Sequence, residues 1–114
     1  MTEAVSYLEN KVGEYNLLGE LVRQVEKDFR MAVDTSITLY ADTPAKLVHE
    51  VYSELYNIVT KTSVSKFSSL LYRIDIAEKD VKAIQSTDIE DYLQQVTFLV
   101  LKREYQKVYI RSTL

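Results

Sequence analysis

The sequence has no cysteine and no tryptophan, and it contains one histidine, one proline and two glycines among 114 residues. Without cysteine the chain can form no disulfide, thiolate metal site or cysteine nucleophile, which fits a reducing compartment. So few turn residues would be unusual in a sheet protein, whereas long helices joined by short loops need few of them. The composition therefore favours an all-α protein.

The same shortages argue against several kinds of active site. Phosphate-binding loops expose their backbone amides through glycine, but Gly13 and Gly19 both lie inside a helical pattern. A Ser-His-Asp hydrolase is not indicated, because His49 is mid-helix and the sequence has no G-x-S-x-G turn. Carboxylate metal sites in bundles use Glu-x-x-His, and position 46 is lysine. We expect no metal, no cofactor and no enzymatic activity; an enzyme is the alternative if His49 meets acids of another helix in a pocket.

Long apolar runs are also missing. No stretch approaches the length of a membrane span, and residues 1–5 lack the basic start and apolar core of a signal peptide. We therefore expect a cytoplasmic protein that does not enter the membrane.

The net charge of −3 comes from the first 34 residues, which hold seven acids and four bases. This balance argues against a general nucleic-acid binder, which needs an excess of Lys and Arg.

The clearest helical pattern runs from Thr87 to Arg111. Thr87 and Glu90 form a T-x-x-E capping box, which predicts the first turn of a helix. Residues 96–101 are apolar on nearly every side, as in a helix enclosed by its neighbours. A buried strand is the alternative for that stretch, but its flanks are rich in good helix formers. We expect this last helix to lie at the centre of the fold.

The first third of the chain predicts one long amphipathic helix, from about Glu3 to Val33. Apolar residues recur there at spacings of three or four, and a bend or break near Gly13 is the alternative. The next ten residues, 34–43, have no helical period and read as a loop. Three apolar side chains are expected to fasten that loop to the core: Ile37, Leu39 and Tyr40.

The middle of the chain predicts three shorter helices. One begins at Pro44 with Thr43 as its N-cap, and it ends at the polar cluster of residues 60–63. The second runs from residue 64 to about residue 73. A D-x-x-E pattern at Asp75 and Glu78 predicts the start of the third, which makes five helices in all.

Arg103 has an unusual position on the last helix. It lies three residues after Val100, on the packed stripe, where a guanidinium should not be left unpaired. Residues 70–78, which include Arg73, are the other stretch where charges are threaded through apolar residues at a helix junction. We predict that Arg103 pairs with Asp75 or Glu78 and latches the short helix onto the last one, as a partly buried pair worth a few kcal/mol.

Four bases are interleaved with aromatic residues near the end of the last helix: Lys102, Arg103, Lys107 and Arg111. A nucleic-acid face can have this composition. The helix dipole explains the bases without any ligand, since cations are favoured at a helix C-terminus. Binding of RNA or another anionic partner is therefore the alternative function.

Two segments resemble small uncharacterised all-helical bacterial proteins: Leu-Leu-Tyr-Arg-Ile-Asp at 70–75 and Lys-Arg-Glu-Tyr-Gln-Lys-Val at 102–108. The resemblance covers about the last third of the chain. It implies a bacterial helical protein and, because such families have no assigned activity, no catalytic residue.

Together these patterns predict a single domain over residues 1–114. We expect a compact bundle of about five helices, with a long N-terminal helix and a central C-terminal one. Broad apolar helix faces and nine tyrosines suit contact with a partner. The favoured function is a non-enzymatic protein–protein interaction module whose partner is another protein or a second copy of the chain in a homodimer.

Overall fold

A computed structural model describes residues 1–114, apart from the side chains of residues 13–15. The described chain contains six α-helices and no strand, so the predicted all-α bundle is confirmed with one helix more than expected. The protein measures 35 × 30 × 24 Å along its principal axes. The helices are α1 (Thr2–Tyr15), α2 (Leu18–Ala32), α3 (Pro44–Lys61), α4 (Val64–Ile74), α5 (Glu78–Lys82) and α6 (Ile89–Thr113).

The prediction of one continuous N-terminal helix is wrong. The first helix ends at Asn16, whose φ of 52° is left-handed, and α2 follows after the buried Leu17. Gly13, near which a break is the alternative, lies inside α1. A single helix over residues 3–33 would be about 45 Å long, which exceeds the longest dimension of the whole protein. Because of the break, α1 packs on α3 and α6, while α2 packs on α4 and α6.

The last helix is central, as predicted, since α6 contacts α1, α2, α3 and α4. Its N-cap is Asp88 instead of Thr87: the Asp88 carboxylate accepts a hydrogen bond from Asp91 N at 2.8 Å. A carboxylate is the stronger acceptor at the positive end of a helix, which explains why the predicted capping box is not used. None of the described helices, α6 included, is long and apolar enough to cross a membrane.

Two of the other predicted helix starts had different outcomes. Thr43 caps α3 as expected, because its Oγ1 accepts a hydrogen bond from Lys46 N at 3.2 Å. The D-x-x-E start at Asp75 is wrong. Asp75 instead ends α4 with a left-handed φ of 71°, and its N–H donates to the carbonyl of Leu71. Helix α5 begins at Glu78 with no side-chain cap.

The loop between α2 and α3 is held by two glutamates. Glu26 accepts a hydrogen bond from Leu39 N at 2.9 Å, and Glu50 accepts hydrogen bonds from the N–H groups of Tyr40 and Ala41, each at 2.8 Å. Ile37 and Leu39 are buried as predicted. The Tyr40 side chain is 81% exposed, so its predicted contact with the core is wrong.

Candidate functional site

Two acids are buried where α2 meets α6. Asp28 is 3% exposed and Glu104 is 0% exposed. The Lys107 ammonium contacts both, with Nζ 2.8 Å from Asp28 Oδ2 and 2.6 Å from Glu104 Oε1. Arg73 of α4 donates from Nε to Asp28 Oδ1 at 2.9 Å. These four side chains, which we call the buried charge cluster, therefore join three helices.

The two carboxyl groups of the cluster have opposite environments. Asp28 accepts hydrogen bonds from Gln24, Arg73 and Lys107. No hydrogen bond to either Glu104 oxygen is formed among the described residues, and the cation in contact with this carboxyl group is Lys107, 2.6 Å from Oε1. Because the Glu104 carboxyl group is buried beside the Asp28 carboxylate, the neutral acid is the form that fits, and its O–H can donate to Asp28.

The pKa values follow from these environments. Burial is the main cause that raises the pKa of Glu104 to about 8, and the neighbouring Asp28 adds to it while Lys107 opposes it. Burial also acts to raise the pKa of Asp28, but hydrogen bonds with Glu104, Lys107 and Gln24 together outweigh burial and lower that pKa. At neutral pH the pair is therefore one carboxylate and one carboxylic acid.

A carboxyl group that has a shifted pKa and lies beside a lysine is also a feature of acid–base catalysts. In this protein both carboxyl groups are enclosed, and Glu104 has no exposed surface that a substrate could reach. The cluster instead connects α2 and α4 to the central helix. Its chemistry is that of a buried ion-pair network that favours one arrangement of these three helices.

Burial of Asp28 and Glu104 is not among the predictions from the sequence, although a signal is present there. Glu104 lies four residues after Val100 and four before Val108, on the apolar stripe of α6. Asp28 lies three residues after the buried Val25. Acids on apolar stripes of two long helices indicate a buried charged contact, and Lys107 and Arg73 were the bases to pair them with.

The predicted pair of Arg103 and Asp75 is present. Arg103 Nη2 lies 3.1 Å from Asp75 Oδ2, and Arg103 Nε donates to the Asp75 carbonyl oxygen at 3.2 Å. Glu78 is not the partner, and its nearest cation is Lys82 on the same helix, at 3.9 Å. The Asp75 side chain is 80% exposed and the Arg103 side chain is 30% exposed, so the pair lies at the surface and only its Arg103 member is partly buried as predicted.

The four bases of α6 do not form one exposed face. Lys107 belongs to the buried charge cluster, Arg103 contacts Asp75, and Arg111 donates from Nη1 to Gln24 Oε1 at 3.0 Å. Lys102 is exposed and lies outside this stripe, which repeats every four residues. His49 is exposed as well, and the described residues include no group of three or more side chains that could hold a metal ion.

A groove of about 650 Å³ lies between α4 and α5. Polar residues at its edge include Asp75, Glu78 and Lys82, while Tyr72 is 88% exposed. Helix α5 is five residues long and has no buried residue. The apolar residues that line the groove are Phe67, Leu71, Tyr72, Ile76, Ala77 and Val81.

A second cleft, of about 440 Å³, lies between α2 and the end of α6. It brings Arg23 and Lys27 together with Arg111 around a single acid, Glu20. No ion pair of these three bases is present in the described part of the chain. Of the bases predicted from the sequence as an anionic-partner site, this cleft contains only Arg111.

Comparison with known proteins found no matching family model, no similar curated protein and no similar solved structure. The resemblance of residues 70–75 and 102–108 to bacterial helical proteins stays a prediction.

Proposed function

We propose that the protein is a non-enzymatic interaction module that binds another protein surface through the groove between α4 and α5. The observation that carries this proposal is the apolar lining of the groove beside a tyrosine that is 88% exposed. Covering apolar surface is favourable by about 25 cal/mol per Å², so an apolar groove next to an exposed aromatic ring is a place where a partner gains free energy.

The distribution of polar residues supports this role. Apolar residues line the groove together with the exposed charged side chains of Asp75, Glu78 and Lys82, and protein interfaces likewise combine apolar contacts with exposed polar groups. Tyr72 suits the part of an anchor residue, because tyrosine provides a large contact area with few rotatable bonds. A cytoplasmic location fits the same proposal, since the chain has no cysteine to oxidise.

The test uses two highly exposed tyrosines. Tyr72→Asp places a charge at the groove, and Tyr40→Asp makes the same change on a loop, where Tyr40 is 81% exposed. We expect tagged protein to retain a partner from host extract after nuclease treatment and at high salt, and Tyr72→Asp to abolish this retention while Tyr40→Asp preserves it. Equal retention by the two variants would overturn the proposal.

Binding of RNA or another anionic partner is the second candidate, and the cleft between α2 and α6 favours it. Arg23, Lys27 and Arg111 converge there, and phosphate groups are bound by such clusters of bases. The expected result for this candidate is retained material that disappears with nuclease, weakens steeply with salt and is lost in Arg111→Glu. Lys102→Glu is the matched control, because Lys102 is exposed on α6 away from the cleft.

A further inference from the structure

We propose that the occupant of the groove is the same groove of a second copy of this chain, in a dimer with two-fold symmetry. This inference rests on the proposed function and names the partner. Helix α5 of one copy lies antiparallel to α5 of the other, so that Glu78 of each copy faces Lys82 of the other copy.

The two charges at the edge of the groove are self-complementary. Glu78 and Lys82 both line the groove and lie at opposite ends of α5. In a two-fold interface, residue i contacts residue j and residue j contacts residue i. One acid and one base at the two ends of a short helix therefore provide two ion pairs when that helix meets its own copy in the antiparallel sense.

Both side chains are exposed, and their contact within one chain is a long ion pair. Glu78 is 89% exposed and Lys82 is 75% exposed. Within one chain Lys82 Nζ lies 3.9 Å from Glu78 Oε2, which is beyond the length of a hydrogen bond. Each charge can therefore accept a better partner without losing an internal hydrogen bond.

The exposure of helix α5 also favours contact with a second copy. Isolated helices shorter than about 12 residues are marginal in water, and α5 has five residues, none of them buried. A second copy would cover Val81 together with Leu71 and Tyr72 of the groove, and would so bury apolar surface that one copy leaves exposed. In a two-fold dimer the apolar lining of one groove therefore faces that of the other, and the two charge pairs form at the same time.

The test is charge reversal followed by mixing. Sedimentation of the full chain over a range of concentrations should show a dimer that Glu78→Lys and Lys82→Glu each weaken. We expect the dissociation constant to rise by about tenfold or more, because both ion pairs become contacts between like charges. An equimolar mixture of the two variants should regain the dimer, since each chain then offers the charge that the other needs.

Another charge pair provides the control. Asp42 and Lys46 form an exposed pair with a separation of 2.9 Å, at residues that do not line the groove. Asp42→Lys and Lys46→Glu make the same changes of net charge, and we expect the dimer to be unaffected. Loss of the dimer in these controls as well would overturn the assignment of the interface to α5.

The remaining outcomes separate this inference from the proposed function. A wild-type chain that stays monomeric at every concentration overturns the dimer, and the proposed function survives if Tyr72→Asp still removes a captured protein. A dimer that tolerates both reversals, or that mixing does not restore, overturns the antiparallel contact. Loss of the dimer in Tyr72→Asp, but not in Tyr40→Asp, supports both proposals.

Discussion

Glu104 and Lys107 lie one helical turn apart on α6, with 2.6 Å between Oε1 and Nζ. Lys107 also reaches Asp28 of α2, so a single ammonium contacts two buried carboxyl groups. An ionised carboxylate is expensive to bury alone, and two buried carboxylates would be more expensive still without pairing. A neutral Glu104 reduces that cost, because it leaves one carboxylate beside Lys107 and Arg73.

The first prediction concerns pH. The pKa of Glu104 is about 8 in the folded protein, against 4.5 as its ordinary value. Between pH 4.5 and about 8 the folded state therefore holds a proton on Glu104 that the unfolded chain has released. This contribution to stability is complete below pH 4.5 and is lost as the pH rises through about 8, with a slope of up to about 1.4 kcal/mol per pH unit.

Glu104→Gln tests this dependence, because glutamine keeps the shape of the neutral acid and cannot ionise. Urea unfolding of the wild type should show stability that falls from pH 5 to pH 8, while the variant should give a flatter curve over the same range. Glu9→Gln changes an exposed glutamate of α1 and should leave the slope intact. Parallel curves for wild type and Glu104→Gln would show that Glu104 does not bind the proton.

The second prediction concerns the ammonium of the cluster. Lys107→Met keeps most of the side-chain stem but leaves Asp28 and Glu104 without the charge between them. We expect a loss of about 3–5 kcal/mol in the free energy of unfolding. Lys102→Met is the control on the same helix, because Lys102 is exposed and its change should stay within about 0.5 kcal/mol. Similar effects of the two substitutions would mean that the cluster does not stabilise the fold.

The third prediction corrects the expected strength of the latch between α4 and α6. Because Asp75 is 80% exposed, its ion pair with Arg103 should contribute about 0.2–1 kcal/mol and not the few kcal/mol of a buried pair. A double-mutant cycle with Arg103→Met and Asp75→Asn measures this coupling, and asparagine tolerates the left-handed backbone at that position. A coupling above about 2 kcal/mol would contradict the surface position of the pair.

The fourth prediction concerns the break between α1 and α2. Asn16 has a left-handed φ of 52°, and alanine lacks the short polar side chain that makes this conformation tolerable. Asn16→Ala should therefore destabilise the protein by about 1 kcal/mol, whereas Asn16→Gly should change the stability by less. Thermal unfolding of the three proteins checks the order. A more stable alanine variant would indicate that the chain accepts a continuous helix.

Local chemistry made much of the fold predictable from the sequence. The cap at Thr43 and the apolar stripe of α6 depend only on residues within a few positions of each other, so spacing was sufficient to find them. The pair of Arg103 and Asp75 was found because a base on an apolar stripe needs a partner, and few charged residues lie at a helix junction.

The sequence by itself determined that this chain is helical, where most of its helices lie and that the last helix is enclosed. Tertiary structure decided that residues 3–33 break at Asn16, because the apolar spacing continues across the break and does not mark it. It also decided that Asp28 and Glu104 both contact Lys107, and that α5 leaves a groove beside α4. A burial pattern along one helix does not state which other helix covers it, and distant residues acquire their environment only when the helices pack.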